Sequence, residues 1–208
     1  MKDKQEPIYN ILNTLGQLVV ASILWTVCSL PIFTIGASST ALYYSVVKVI
    51  RRENGTLVKS FFSSFRTNFW QSTKIHLLCL WLLSIPVCLA LPDLLEAENG
   101  ISTVSYIMIG LIVLGLLFIV MVYPTISRFY HTGWNLFRFV LLLIGRYPHA
   151  AVGSVALLAV GAVIAASNGA SLLFIPGVAA YLQSLMLEPI FKKHSDSKDS
   201  EMYAMWYG

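Results

Sequence analysis

Charge is what this chain of 208 residues has least of: 12% of its residues are Asp, Glu, Lys or Arg, against 57% hydrophobic. A soluble domain carries about 25% charge, so much of the surface that would keep the chain in water is missing. The deficit is concentrated. No charged residue stands between Glu6 and Lys48, a gap of 41 residues, and a second gap of 41 separates Arg146 from Glu188. Residues 75–92 and 99–127 are further uncharged runs of 18 and 29. A membrane-crossing helix needs about 20 apolar residues, so each long gap holds two crossings. A soluble fold, a disordered chain and a nucleic-acid-binding domain are excluded, and the chain reads as an all-α, polytopic membrane helical bundle.

Other scarcities narrow the chemistry. Cys28, Cys79 and Cys88 are the only cysteines, and all three sit in apolar runs; an odd number outside aqueous loops gives no disulfide framework. The four histidines, His76, His131, His149 and His194, lack metal-ligand spacing. His76 and His149 are expected at the inner interface, where outward crossings begin. There is no phosphate-cradling P-loop, no G-x-S-x-G elbow and no H-E-x-x-H. The expectation is therefore a protein that is not an enzyme, with no catalytic residues, no metal and no cofactor. No acidic or basic residue falls at mid-membrane, which weighs against an ion-driven pump. Glu188, at the inner end of the last crossing, is expected to be hydrated or paired with Lys192.

What is present fixes the layout. Six transmembrane helices, at about 10–31, 35–51, 74–92, 100–127, 147–166 and 170–190, place all 14 basic residues on one side, as Lys and Arg resist translocation. Pro31 and Gly36 divide the first gap, and Ser167-Asn168-Gly169 divides the last at a turn. A four-crossing layout strands basic residues outside. Both termini are thus expected in the cytoplasm, with an uncleaved first helix, a single transmembrane domain over residues 1–191 and a cytoplasmic tail over 192–208.

One or two cytoplasmic amphipathic helices complete the layout. Over about 57–73, Val58, Phe61, Phe62, Phe65 and Phe69 fall within about a 100° arc at helical pitch, while Lys59, Arg66 and Lys74 fall on another. Such a basic amphipathic helix lies on a membrane surface, and Phe61, Phe62, Phe65, Arg66 and Phe69 are its candidate contacts with the lipid bilayer or a partner. Residues 129–145 form a second candidate, either interfacial or an extension of the fifth crossing. In the first crossing Asn10, Asn13, Thr14 and Gln17 make one polar stripe, and Ser22, Thr26 and Ser29 another. Neutral polar groups in lipid usually join helices, which outweighs a substrate-binding stripe. Gly161, Ala165 and Gly169, with Ala162, Ala166 and Ala170, form rows of small residues that let helices approach closely.

The stretch 30–74 contains L-P-x-x-T-I-G-A (Leu30, Pro31, Thr34, Ile35, Gly36, Ala37), then A-L-Y-Y from Ala41 to Tyr44, then S-F-F-x-x-F-x-x-N-F from Ser60 to Phe69. It resembles the signature region of the YesL family, bacterial integral membrane proteins of unknown function. The resemblance is specific over the first 75 residues. It implies a bacterial plasma-membrane protein associated with carbohydrate ABC transporters, and implies no catalytic or binding residues. Two functions are expected on that footing. One is an accessory or assembly subunit of a carbohydrate ABC importer, touching its permease or ATPase subunits. The other is a small stand-alone permease for oligosaccharides or their breakdown products, for which Gln17, Trp25, Tyr43 and Tyr44 supply aromatic platforms and hydrogen bonds.

Overall fold

The computed structural model describes residues 5–95, 102–129, 131 and 133–195. It is all-α, with seven helices among the described residues: α1 (Gln5–Cys28), α2 (Ile35–Ser45), α3 (Leu57–Leu95), α4 (Thr103–Arg128), α5 (Gly133–Arg146), α6 (Pro148–Ser167) and α7 (Ile175–Ser195). The tail expected over 192–208 lies outside the described residues from 196 onward, as do residues 96–101. Four helices are long and apolar enough to cross a membrane: α1 over Ile11–Cys28, α3, α4 and α6. The chain is a multi-pass membrane protein on that ground.

The expected division at Pro31–Gly36 is a tight turn. Pro31 stops α1, a single 3-10 turn spans Ile32–Thr34, and the Thr34 hydroxyl lies 2.6 Å from the carbonyl oxygens of both Cys28 and Pro31. Helix α2 then runs through the middle of the bundle. Ala37, Ala41, Val46 and Val47 are fully buried, and Ser38, Thr40 and Ser45 are fully buried with hydroxyls bonded to carbonyls within the helix. Small residues and self-satisfied hydroxyls allow this depth, because lipid supplies no hydrogen bonds. The helix continues as a π-helical segment, Val46–Arg51, so 35–51 is one continuous rod. A left-handed Glu53 (φ 53°) and Gly55 (φ 86°) reverse the chain into α3.

Helix α3 overturns one expectation. The amphipathic helix foreseen over 57–73 and the crossing foreseen over 74–92 are a single helix of 39 residues. At 1.5 Å per residue it is about 58 Å long, against about 30 Å for a hydrocarbon core. No glycine or proline interrupts it before Pro86, so the switch from polar to apolar composition at residue 75 leaves the backbone intact. Its aromatic face is also not free. Phe61 is completely buried with Leu18, Ala21, Leu42 and Ala180, Phe65 stacks on it at 6.2 Å, and Phe69 meets Phe65 at 5.4 Å. Phe62, at 48% exposure, and Arg66 do face outward.

Helices α3 and α4 form an antiparallel hairpin, closed at its far end by the Ser105 hydroxyl on Asp93 at 2.7 Å. Helix α5 is a separate amphipathic helix, burying Leu136, Val140 and Leu143 and exposing Trp134 and Leu142. It is not an extension of α6, since Tyr147 and Pro148 break the chain between them. The turn foreseen at Ser167-Asn168-Gly169 is present; it opens a 3-10 segment, Gly169–Leu173, capped by the Asn168 side chain. That segment and α7 return beside α1, where the Ser22 hydroxyl accepts from Gly177 N–H at 2.8 Å and the Thr26 hydroxyl lies 3.5 Å from the Leu172 carbonyl. Ser22 and Thr26 of the second polar stripe therefore join α1 to this returning segment, while the Ser29 hydroxyl has no partner among the described residues.

The closest approach of α2 and α3 depends on Gly36. A Cβ there would lie 2.8 Å from both the Ser72 carbonyl oxygen and His76 Cβ; next to it, Thr40 and Ser72 share a hydroxyl hydrogen bond of 3.0 Å. Gly36→Ala is expected to lower stability by about 1–3 kcal/mol, the usual range for forced overpacking. Gly16→Ala, with open space around its Cβ, is expected to raise stability by up to about 1 kcal/mol through helix propensity. Thermal unfolding in one detergent measures both; equal shifts for the two would contradict the packing argument.

Candidate functional site

One end of the bundle gathers charges that lie far apart in sequence. The π-helical segment delivers Arg51 and the residue after it, Arg52; α4 ends on Arg128; α7 brings Ser184 and Glu188. Glu188 is 5% exposed. Its Oε2 accepts from Arg128 Nη2 at 2.8 Å and Arg52 Nη2 at 3.1 Å, and its Oε1 accepts from the Tyr43 hydroxyl at 3.3 Å. Arg51 donates to the Ser184 carbonyl at 2.7 Å. Lys48, one turn back, donates to the Tyr44 hydroxyl at 3.1 Å. Glu188, expected to be hydrated or paired with Lys192, is instead buried and paired with Arg128 and Arg52. A buried carboxylate is tolerable only when paired, and here two guanidinium groups and a phenol occupy its oxygens. A carboxylate so engaged ties helical segments together.

Beyond Tyr43, towards the middle of the bundle, lies a cavity of about 320 Å³ between α1, α2, α4, α6 and α7. Its wall is mostly aliphatic, including Leu42, Ile119, Leu158 and Ile175, with Gly161, Ala162, Ala165, Ala179 and Ala180 leaving the room. The small-residue row of α6 thus lines a cavity as well as easing an approach. Polar atoms enter from Trp25, Ser39, Tyr43, Tyr123 and Gln183, and most are already engaged. The Trp25 indole donates to Ser39 at 3.1 Å, and the Tyr123 hydroxyl is 2.6 Å from His76 Nδ1. His76, expected where an outward crossing begins, is buried in α3 against α4. Among the described residues no cluster of His, Cys, Asp or Glu is placed to hold a metal ion.

Phe61, Phe62, Phe65 and Phe69 touch one another along α3 but do not share one exposed face. Phe61 belongs to the core, Phe65 and Phe69 are half-buried, and Phe62 and Arg66 lie on the surface of α3. Asn13 is exposed and Gln17 half-buried, neither with a side-chain hydrogen bond among the described residues, and the side chain of Asn10 lies outside them. Of the four residues foreseen as a sugar platform, Trp25 and Tyr43 line the cavity; Gln17 and Tyr44 do not. The Glu188 cluster was missed as a unit. Its one signal in the sequence is position, since Glu188 is the acidic residue that ends the second long charge-free gap.

Residues 18–89 match the model of a family described as a protein of unknown function, DUF624. The match runs from the second half of α1 through α2 and the π-helical segment into α3. It includes Gly36, Tyr43, Arg51, Arg52 and Phe61, and stops before Arg128, Gln183 and Glu188. No curated protein and no solved structure matches the chain.

Removing the carboxylate while leaving Arg128 buried should be costly. Glu188→Ala is expected to lower stability by about 3–5 kcal/mol, as for other broken buried pairs. Arg52→Ala, at a side chain 24% exposed, should cost about 1 kcal/mol or less. Unfolding monitored in detergent distinguishes the two; similar small losses would show that Glu188 is solvated.

Proposed function

We propose that this chain is a non-catalytic subunit of a bacterial plasma membrane that serves a carbohydrate ABC importer by assembly or accessory contacts. In this reading it crosses the membrane six times, α2 with its π-helical extension and α7 adding to the four long apolar helices, and both termini are cytoplasmic. The observation that carries it is how the interior uses its polar groups. The buried carboxylate of Glu188 is committed to two arginines, and the cavity above them is largely apolar. A sugar needs many free donors and acceptors around it, and this interior offers few. Work by contact with other proteins remains, and Phe62, Arg66 and Trp70, the last 72% exposed, supply an aromatic and basic surface on α3. The link to importers comes from the YesL resemblance in residues 30–74, all of which also lies within the DUF624 match.

The stand-alone permease is the weaker reading for the same reason, although Trp25 and Tyr43 do reach the cavity. Two measurements separate them. Affinity purification in mild detergent from sugar-induced cells is expected to recover importer permease or ATPase subunits; recovery without any transporter subunit sinks the accessory reading. Reconstituted alone in liposomes with labelled oligosaccharides, the protein is expected to give no uptake above empty vesicles.

A further inference from the structure

Gln183 has an amide whose two ends are treated differently. Pro124 in α4 has no N–H, so the carbonyl of Val120, four residues earlier, loses its helical donor. The Gln183 side chain supplies one, its Nε2 donating to Val120 O at 3.1 Å. That bond fixes which way the amide faces and leaves Oε1 on the other side. Gln183 is 6% exposed and lines the cavity, and its Oε1 has no hydrogen-bond partner among the described residues. Oε1 is not sealed off from the cavity, and an acceptor without a partner in largely apolar surroundings favours a donor brought into that space. Ser39 is a second handle: its oxygen accepts from the Trp25 indole, which leaves its own hydrogen to donate into the cavity.

Apart from Trp25, Tyr43 and Tyr123, whose polar atoms are bonded within the protein, the remainder of the wall is apolar, and it carries no charged side chain. An ionised headgroup would have no counter-charge there, and a volume of about 320 Å³ exceeds the ~150 Å³ of an apolar cavity that stays dry and takes up benzene. One side is formed by α6, a candidate span whose outer face exposes Val160, Val163 and Ile164, which puts hydrocarbon within reach of the cavity. We propose that the cavity binds an uncharged hydroxyl-bearing lipid, an acylglycerol or long-chain alcohol, with its hydroxyl on Gln183 Oε1 and Ser39 and its chain along α4, α6 and α7.

The full chain, reconstituted in vesicles of phosphatidylethanolamine and phosphatidylglycerol, is photolabelled with a diazirine-bearing monoacylglycerol. Label is expected on the cavity faces of α4, α6 and α7, and excess unlabelled monoacylglycerol should remove it while the corresponding fatty acid at neutral pH does not. Ala165→Phe, which fills the cavity, should abolish that label. Gln183→Leu should lower it about five- to tenfold, the worth of one hydrogen bond. Ser39→Ala removes a hydroxyl without removing packing, and should lower it a few-fold even where Ala165→Phe does not fold. Label spread over the bilayer-facing helices and unchanged in Ser39→Ala and Gln183→Leu would overturn the proposal, as would equal competition by the fatty acid.

Discussion

A carboxylate buried among helices must find positive partners or give up its charge, and Glu188 meets that demand with arginines from two other segments. Arg52 arrives from the end of the α2 rod and Arg128 from the end of α4; Tyr43 completes the set from within α2. Three stretches that share no local sequence relation are thereby tied at one end of the bundle. The packing beside the tie is aromatic: Tyr43 meets Phe191 at 6.4 Å and Phe129 meets Phe191 at 5.4 Å, one residue beyond Arg128 and three beyond Glu188. Burial of such ions adds little net stability compared with an apolar substitute. Its force is geometric, because any arrangement that separates the three segments strands a charge.

The second organising element is α2, and it gives the signature around it a physical meaning. In L-P-x-x-T-I-G-A, proline ends α1, threonine closes the turn on two carbonyls, and glycine lets α3 come within backbone contact. The alanine after it is fully buried. In lipid, where the hydrophobic effect does not drive helices together, close packing of small residues and hydroxyl pairs such as Thr40–Ser72 takes its place. The motif is a packing motif. Its residues build the centre against which the cavity and the charged end are both formed.

Legibility tracked the range of the interaction. The turn at Pro31–Gly36, the rod over 35–51 and the break at 167–169 are local, set by proline, glycine and asparagine, and were readable. The continuity of α3 was not, because Lys59, Asn68, Gln71 and Lys74 interrupt an apolar run without interrupting a helix. Periodicity identified an aromatic arc there but not what covers it; Phe61 is sealed by α1, α2 and α7. The Glu188 cluster joins positions 60 and 136 residues apart, a distance at which pattern carries no signal. The cavity depends on the spacing between helices, and alanines at 162 and 165 read equally well as a close contact.

The π-helical turn at Val46–Arg51 shifts the rotational phase of the residues beyond it. Tyr43 and Arg52 are nine residues apart, and at about 100° per residue a regular α-helix would turn them to opposite sides. Wider winding holds the later residues back by about one position, so both groups reach the same carboxylate. Such a turn has the geometry of an extra residue absorbed in place. A chain one residue shorter between Tyr43 and Arg52, wound as plain α-helix, would bring the pair to within about 80° of each other. The charged end therefore tolerates a change of length at this point that it would not tolerate a few residues to either side.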